Sequence, residues 1–146
     1  MDLLIGDAGG QHVLFTVLGR KHPGLFDHWD GNWLASEVKV AVGGFRAAYR
    51  ADLRAEELQA FRDQIDAMVQ SVEGAASFST MEGQIALTIR GDVRGQVSVR
   101  GEARDMPGSD NLLQFAFDID QTYLKAIWLA LNAIVSAFPA VGAAES

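Results

Sequence analysis

Residues 33–49 read WLASEVKVAVGGFRAAY, from Trp33 to Tyr49, and the fold class turns on how they are read. Leu34, Ser36, Val38, Val40 and Val42 fall on one face of an extended chain, with Trp33, Ala35, Glu37, Lys39 and Ala41 on the other. A period of two predicts a strand with one face on a core. Gly43-Gly44 is a hairpin signal, and Phe45, Ala47 and Tyr49 continue the alternation on the return strand.

Working outward, the next segment changes period. Leu58, Phe61, Ile65, Met68 and Val72 recur at spacings of 3 and 4, while Glu56, Gln59, Asp63, Asp66 and Gln70 make an entirely polar opposite stripe. This predicts an amphipathic helix over about 53–72, capped by Asp52 and stopped near Gly74. Short β-rich runs follow at 75–80, 85–90, 97–103 and 113–117, joined by turns with no helix between them, so antiparallel pairing is expected. Leu124, Ile127, Trp128, Leu131, Ile134, Val135 and Phe138 then recur at helical spacing up to Pro139. They predict a largely buried helix over about 120–138, with Asp118 as cap and Gln121 completing a capping box. Residues 1–30 read as one strand, His12–Leu18, and a loop, and residues 140–146 as a flexible tail. No internal repeat is visible. The expectation is one α+β domain over 1–146, a mostly antiparallel sheet of about six strands with two helices packed on it.

Bulk composition narrows the function. Nineteen acidic against twelve basic residues give a net charge of −7, which repels nucleic acid and favours a basic protein partner. There are no cysteines, so thiolate metal sites and disulfides are excluded. The start, MDLLIGDAGG, lacks the positive charge of an export signal, and the most apolar segment, Tyr123–Phe138, falls short of the ~20 residues a spanning helix needs. A soluble, cytoplasmic protein with no membrane partner is the expectation.

Candidate chemistry is thin. Asp27–Leu34 (DHWDGNWL) gathers carboxylates, an imidazole and two indoles. Asp30, Asn32 and Glu37 do not follow the alternating oxygen spacing of a calcium loop, and His28 has only His22 near it, across Pro23-Gly24. Asp30-Gly31 is a turn dipeptide, so the stretch reads as a structural turn. Asp118 and Asp120 stand at a helix entrance, where capping suits them better than acid–base work. His12, His22 and His28 lack a serine in an activating context, and no glycine-rich phosphate loop opens a helix. Gly9-Gly10-Gln11 matches a peptide-release tripeptide, but no basic surface accompanies it. No catalytic, metal or cofactor residues are assigned.

Four stretches in this order look familiar: DGNWLASEVKVAVGGF (30–45), LRAEELQAFRDQI (53–65), GQIALTIRGDVRGQVSVRGEA (83–103) and NLLQFAFDIDQTYLKAI (111–127), leading to Phe138-Pro139. Together they resemble the WapI-like family of small bacterial proteins, some of them immunity proteins of contact-dependent toxin systems. Asp30, Asn32, Trp33 and Leu34 carry the opening, Glu57, Leu58 and Phe61 the helix, Gly95 a hairpin, and Phe117, Asp120, Gln121, Thr122 and Leu124 the last element. The first 25 residues show no match.

The resemblance implies a protein that binds a toxin domain and blocks it, with no reaction of its own. The segment 52–73 carries six acids (Asp52, Glu56, Glu57, Asp63, Asp66, Glu73) against Arg54 and Arg62. Glu56, Asp63 and Asp66 are therefore the candidate partner-binding residues toward a basic toxin, with Trp29 and Trp33 as possible interface anchors. A small-ligand module and a structural homo-oligomer stay open as alternatives, and the oligomeric state is not legible.

Overall fold

The alternation along Trp33–Val42 and the Gly43-Gly44 turn do make a hairpin, set within a longer series of strands. The computed structural model describes residues 1–143. In chain order they form β1 (Asp2–Gly6), β2 (His12–Arg20), α1 (His28–Gly31), β3 (Trp33–Val42), β4 (Phe45–Arg54), α2 (Ala55–Gln70), β5 (Gly74–Ser79), β6 (Ile85–Gly91), β7 (Val97–Arg104), β8 (Leu112–Ile119) and α3 (Tyr123–Ala137). The α+β class, the antiparallel pairing and the two long helices are as expected. The strands differ in number and grouping: eight, in two four-stranded sheets ordered β1-β2-β3-β4 and β5-β6-β7-β8. Strand β1 is the unforeseen one, because its short apolar run between Met1 and Gly6 has no alternation long enough to read.

The topology repeats although the sequence does not. Four antiparallel strands and a helix occur twice, with α1 inserted in the first set. The helices cross over: α2 packs on β5 of the second sheet, α3 on β1 of the first, and the two helices pack together. One core results. Leu34, Val38 and Val40 bury from the first sheet, Ile85, Ile89 and Val99 from the second, Leu58, Phe61, Ile65 and Met68 from α2, and Leu124, Ile127, Leu131 and Ile134 from α3. Phe78 of β5 is the junction, 5.5 Å edge-on to Phe15 of β2 and 5.4 Å from Phe61 of α2.

Two helix caps differ from expectation. Asp52 stays in β4 and pairs with Lys21, while the Arg54 backbone N–H donates to Glu57 Oε1 at 2.9 Å to secure the start of α2. At α3, Asp118 belongs to β8, and Asp120 accepts from the Thr122 backbone N–H at 2.9 Å. That bond holds the Asp120 carboxyl below its ordinary value. In both cases the strand runs further than its hydrophobic pattern, and the cap moves with it.

Helix α3 is less covered than its wide apolar stripe suggests, since Leu129 is 53% exposed and Ala126 and Ala133 face outward. Residues 140–143 are held where they leave it: Val141 exchanges two hydrogen bonds with the Asn32 side chain. The rest of the expected tail, 144–146, lies outside the described residues. Among the described residues no helix is long and apolar enough to cross a membrane.

Candidate functional site

The DHWDGNWL stretch is a turn, as its Asp-Gly pair predicts, tightened into one helical turn. The Asp27 side chain accepts from the Asp30 N–H at 2.9 Å and closes α1. Gly31 is required there, because a Cβ would lie 2.8 Å from the Leu25 carbonyl oxygen and 2.8 Å from a Val141 methyl. Asn32, fully buried, donates through Nδ2 to the carbonyls of His28 and Val141, both at 2.9 Å. Among the described residues no three His, Asp or Glu side chains gather where an ion could sit.

What the turn does hold is an arginine. Arg54, the last residue of β4, is 1% exposed and donates to the carbonyls of Trp29 (2.8 Å) and His28 (2.6 Å) and to Glu56 Oε1. Its guanidinium lies 4.7 Å above the Trp33 ring and 5.8 Å from the Trp29 ring, close enough for cation–π attraction to both. Each of the three guanidinium nitrogens therefore donates, and with the Glu56 carboxylate beside it this makes the burial of the charge tolerable. Glu56 is half of that arrangement, and its second oxygen, Oε2, is buried without a hydrogen-bond partner among the described residues. Sequence reasoning missed Arg54 because a lone arginine at a strand end looks like any surface cation. The nearby pair of tryptophans was the available signal.

Three of the five candidate residues thus come together around Arg54: Trp29, Trp33 and Glu56. Trp33 is half-buried beneath the guanidinium, whereas Trp29 is 55% exposed. The other two lie further along α2. Asp63 is exposed and pairs with the neighbouring Arg62 at 2.9 Å, and Asp66 accepts from Gln70 at 3.3 Å. Arg62 also reaches across to Asn132 Oδ1 of α3 at 3.2 Å and so links the two helices.

Beneath the first turn of α2, Glu57 accepts from the backbone N–H groups of Arg54 (2.9 Å) and Met81 (2.8 Å) and ties the helix to the β5–β6 turn. Burial pushes its carboxyl up to about 7, against the pull of those two donors.

Among solved structures, two similar chains share little sequence. A chain from the crystal structures of Trypanosoma bruciei MRP1/MRP2 is 10% identical with a TM-score of 0.49, covering 95% of this chain and 85% of that one. A chain from the CdiA-CT/CdiI toxin and immunity complex of Enterobacter cloacae is 8% identical with a TM-score of 0.44, covering 82% of this chain and 97% of that one. No curated protein matches. A family profile, by contrast, matches residues 3–139, so it takes in β1, β2 and the buried turn as well as the later stretches. The first 25 residues, where no resemblance was legible, fall almost wholly inside it. The chain belongs to the Immunity protein WapI-like family.

Proposed function

We propose that this chain binds a bacterial toxin domain stoichiometrically and blocks it, without catalysing a reaction and without a cofactor. The observation that supports the reading most is family membership across nearly the whole domain. The chemistry of the turn agrees with it: what its backbone carbonyls and the Glu56 carboxylate do is hold a buried arginine in place.

On this reading Asp63 and Asp66, on the outer face of α2, meet basic side chains of the toxin, and the exposed Trp29 ring provides an apolar anchor. Glu56 and Trp33 act one layer down, fixing Arg54 and through it the Trp29 backbone. The toxin is a basic domain and the encounter takes place in the cytoplasm.

The experiment is co-expression with the toxin domain encoded beside this chain's gene. The unaltered protein restores growth and binds the purified domain one to one. The double variant D63K/D66K, folded as judged by its melting curve, associates roughly tenfold more slowly at low salt, because reversing charges at an interface rim acts on encounter rate. Growth arrest despite the unaltered protein overturns the function, and an unchanged association rate overturns the surface.

A further inference from the structure

The four sheet edges are not treated alike. At β5, Gln64 of α2 covers the edge, its Oε1 accepting from the Ser77 N–H at 2.9 Å and its Nε2 donating to the Ser77 carbonyl at 3.3 Å. Strand β1 is packed by α3. Such covering suppresses unwanted strand pairing. The first half of β4 has no such cover.

The pairing geometry says which groups are free there. Val42 and Phe45 flank a two-residue turn, with Gly43 at φ +56, so the hydrogen-bonded partners of β3 are Phe45, Ala47, Tyr49 and onward. The N–H and C=O of Arg46, Ala48 and Arg50 point away from the sheet. Arg50 confirms the alternation, since its carbonyl accepts from Gln84 Nε2 at 3.0 Å. Among the described residues, Arg46 and Ala48 have no corresponding partner.

A groove of about 620 Å³ runs along this open stretch, floored by Ala47, Tyr49, Ala103, Leu112 and Leu113. Asp105 and Asp110 stand on its rim, both exposed and neither within ion-pair distance of a cation among the described residues. The rim's one cation, Arg46, is turned back on its own hairpin, donating to the carbonyls of Gly43 and Phe45 at 2.9 Å. The groove therefore offers unpaired backbone, an apolar floor and uncompensated negative charge.

We propose that an extended segment of the toxin adds to the first sheet as a fifth strand, pairing its backbone with Arg46 and Ala48. Alternate apolar side chains of that segment cover Ala47, Tyr49 and Leu113, and a lysine or arginine reaches Asp105 and Asp110. This rests on the toxin-binding reading and adds to it a second contact, remote from α2. A second copy of this chain suits the edge poorly: β4 pairing with itself about Ala48 sets Arg46 opposite Arg50, like charge against like.

The test uses the toxin domain encoded beside the gene, with residue-resolved amide exchange and the variant A48P. Proline is tolerated at an edge where the N–H faces outward, so the free variant keeps its fold. In the complex the Arg46 and Ala48 amides gain protection, while those of Ala47 and Tyr49 are protected throughout. A48P dissociates about tenfold faster, the loss of roughly one net hydrogen bond. Equal exchange at Arg46 and Ala48, free and bound, overturns the proposal even if A48P fails to fold. So does a concentration-dependent dimer of the free protein that A48P abolishes. Failure of the unaltered protein to bind the toxin overturns the toxin-binding reading along with it, whereas tight binding with unchanged Arg46 and Ala48 amides overturns only the added strand.

Discussion

Asn32 and Val141 stand 109 positions apart and exchange two hydrogen bonds, Nδ2 to carbonyl at 2.9 Å and N–H to Oδ1 at 2.8 Å. A third bond, to the His28 carbonyl, uses the remaining Nδ2 proton and fixes the tight turn against the chain after α3. N32A strands these backbone groups where water reaches them poorly. The expected loss is on the order of 3 kcal/mol of unfolding free energy, from one to three for each unsatisfied buried group less what relaxation recovers. Chemical denaturation of the variant reads it directly, and a loss below about 0.5 kcal/mol would refute the tether.

Arg54 predicts a failure of the conservative exchange. Lysine keeps the charge over Trp33 but cannot donate at once to His28, Trp29 and Glu56 in a fixed plane. R54K loses about 2–3 kcal/mol in stability, and the Trp29 fluorescence red-shifts as its backbone is released, W33F and W128F removing the other emitters. Melting at wild-type temperature would show that the fork does not matter.

Glu57 gives stability an unusual pH slope. Its carboxyl sits at about 7 in the folded chain against an ordinary 4.5, so folding favours the protonated form. The stability from this group is complete below pH 4.5 and is lost as pH rises toward 7. Asp120 works in the opposite direction and at lower pH, because its folded value lies below the ordinary 3.8 and its contribution disappears as pH falls. Denaturant midpoints measured from pH 4.5 to 7.5 fall with rising pH, and E57Q removes that slope. A slope that survives E57Q assigns it elsewhere.

Gln64 predicts a change in solubility more than in stability. Q64A uncovers the Ser77 N–H and C=O at the β5 edge and costs only about 1 kcal/mol, since water replaces the lost partners. Light scattering on prolonged storage nevertheless rises, because an open edge recruits other strands. Equal scattering for the variant and the unaltered protein would deny Gln64 a guarding role.

Residues whose role follows from periodicity were legible. Leu58, Phe61, Ile65 and Met68 are all buried, and the hairpin at Gly43-Gly44 is where its glycines put it. What escaped depends on contacts between distant parts of the chain. No pattern in residues 1–6 announces β1, whose partner β2 and covering helix α3 supply its reason for being extended. The split into two sheets is equally hidden, since β4 and β5 are each ordinary strands until α2 crosses between them. Arg54, Asn32 and Gln84 are buried polar residues that local sequence marks as surface. Of the candidate contacts, Trp29 and Asp63 lie exposed, while Glu56 is half-buried and pairs with Arg54, a contact its sequence neighbours do not announce.

The crossed helices bear on when this molecule begins to exist. Each half lends its closing element to the other, so a ribosome-bound chain lacking Tyr123–Ala137 has the first sheet made but one flank of it bare. The contact that covers it joins α3 to β1, elements far apart in sequence, and such long-range contacts form late. Closure of the fold therefore waits on the last helix to be made, which packs against the first strand.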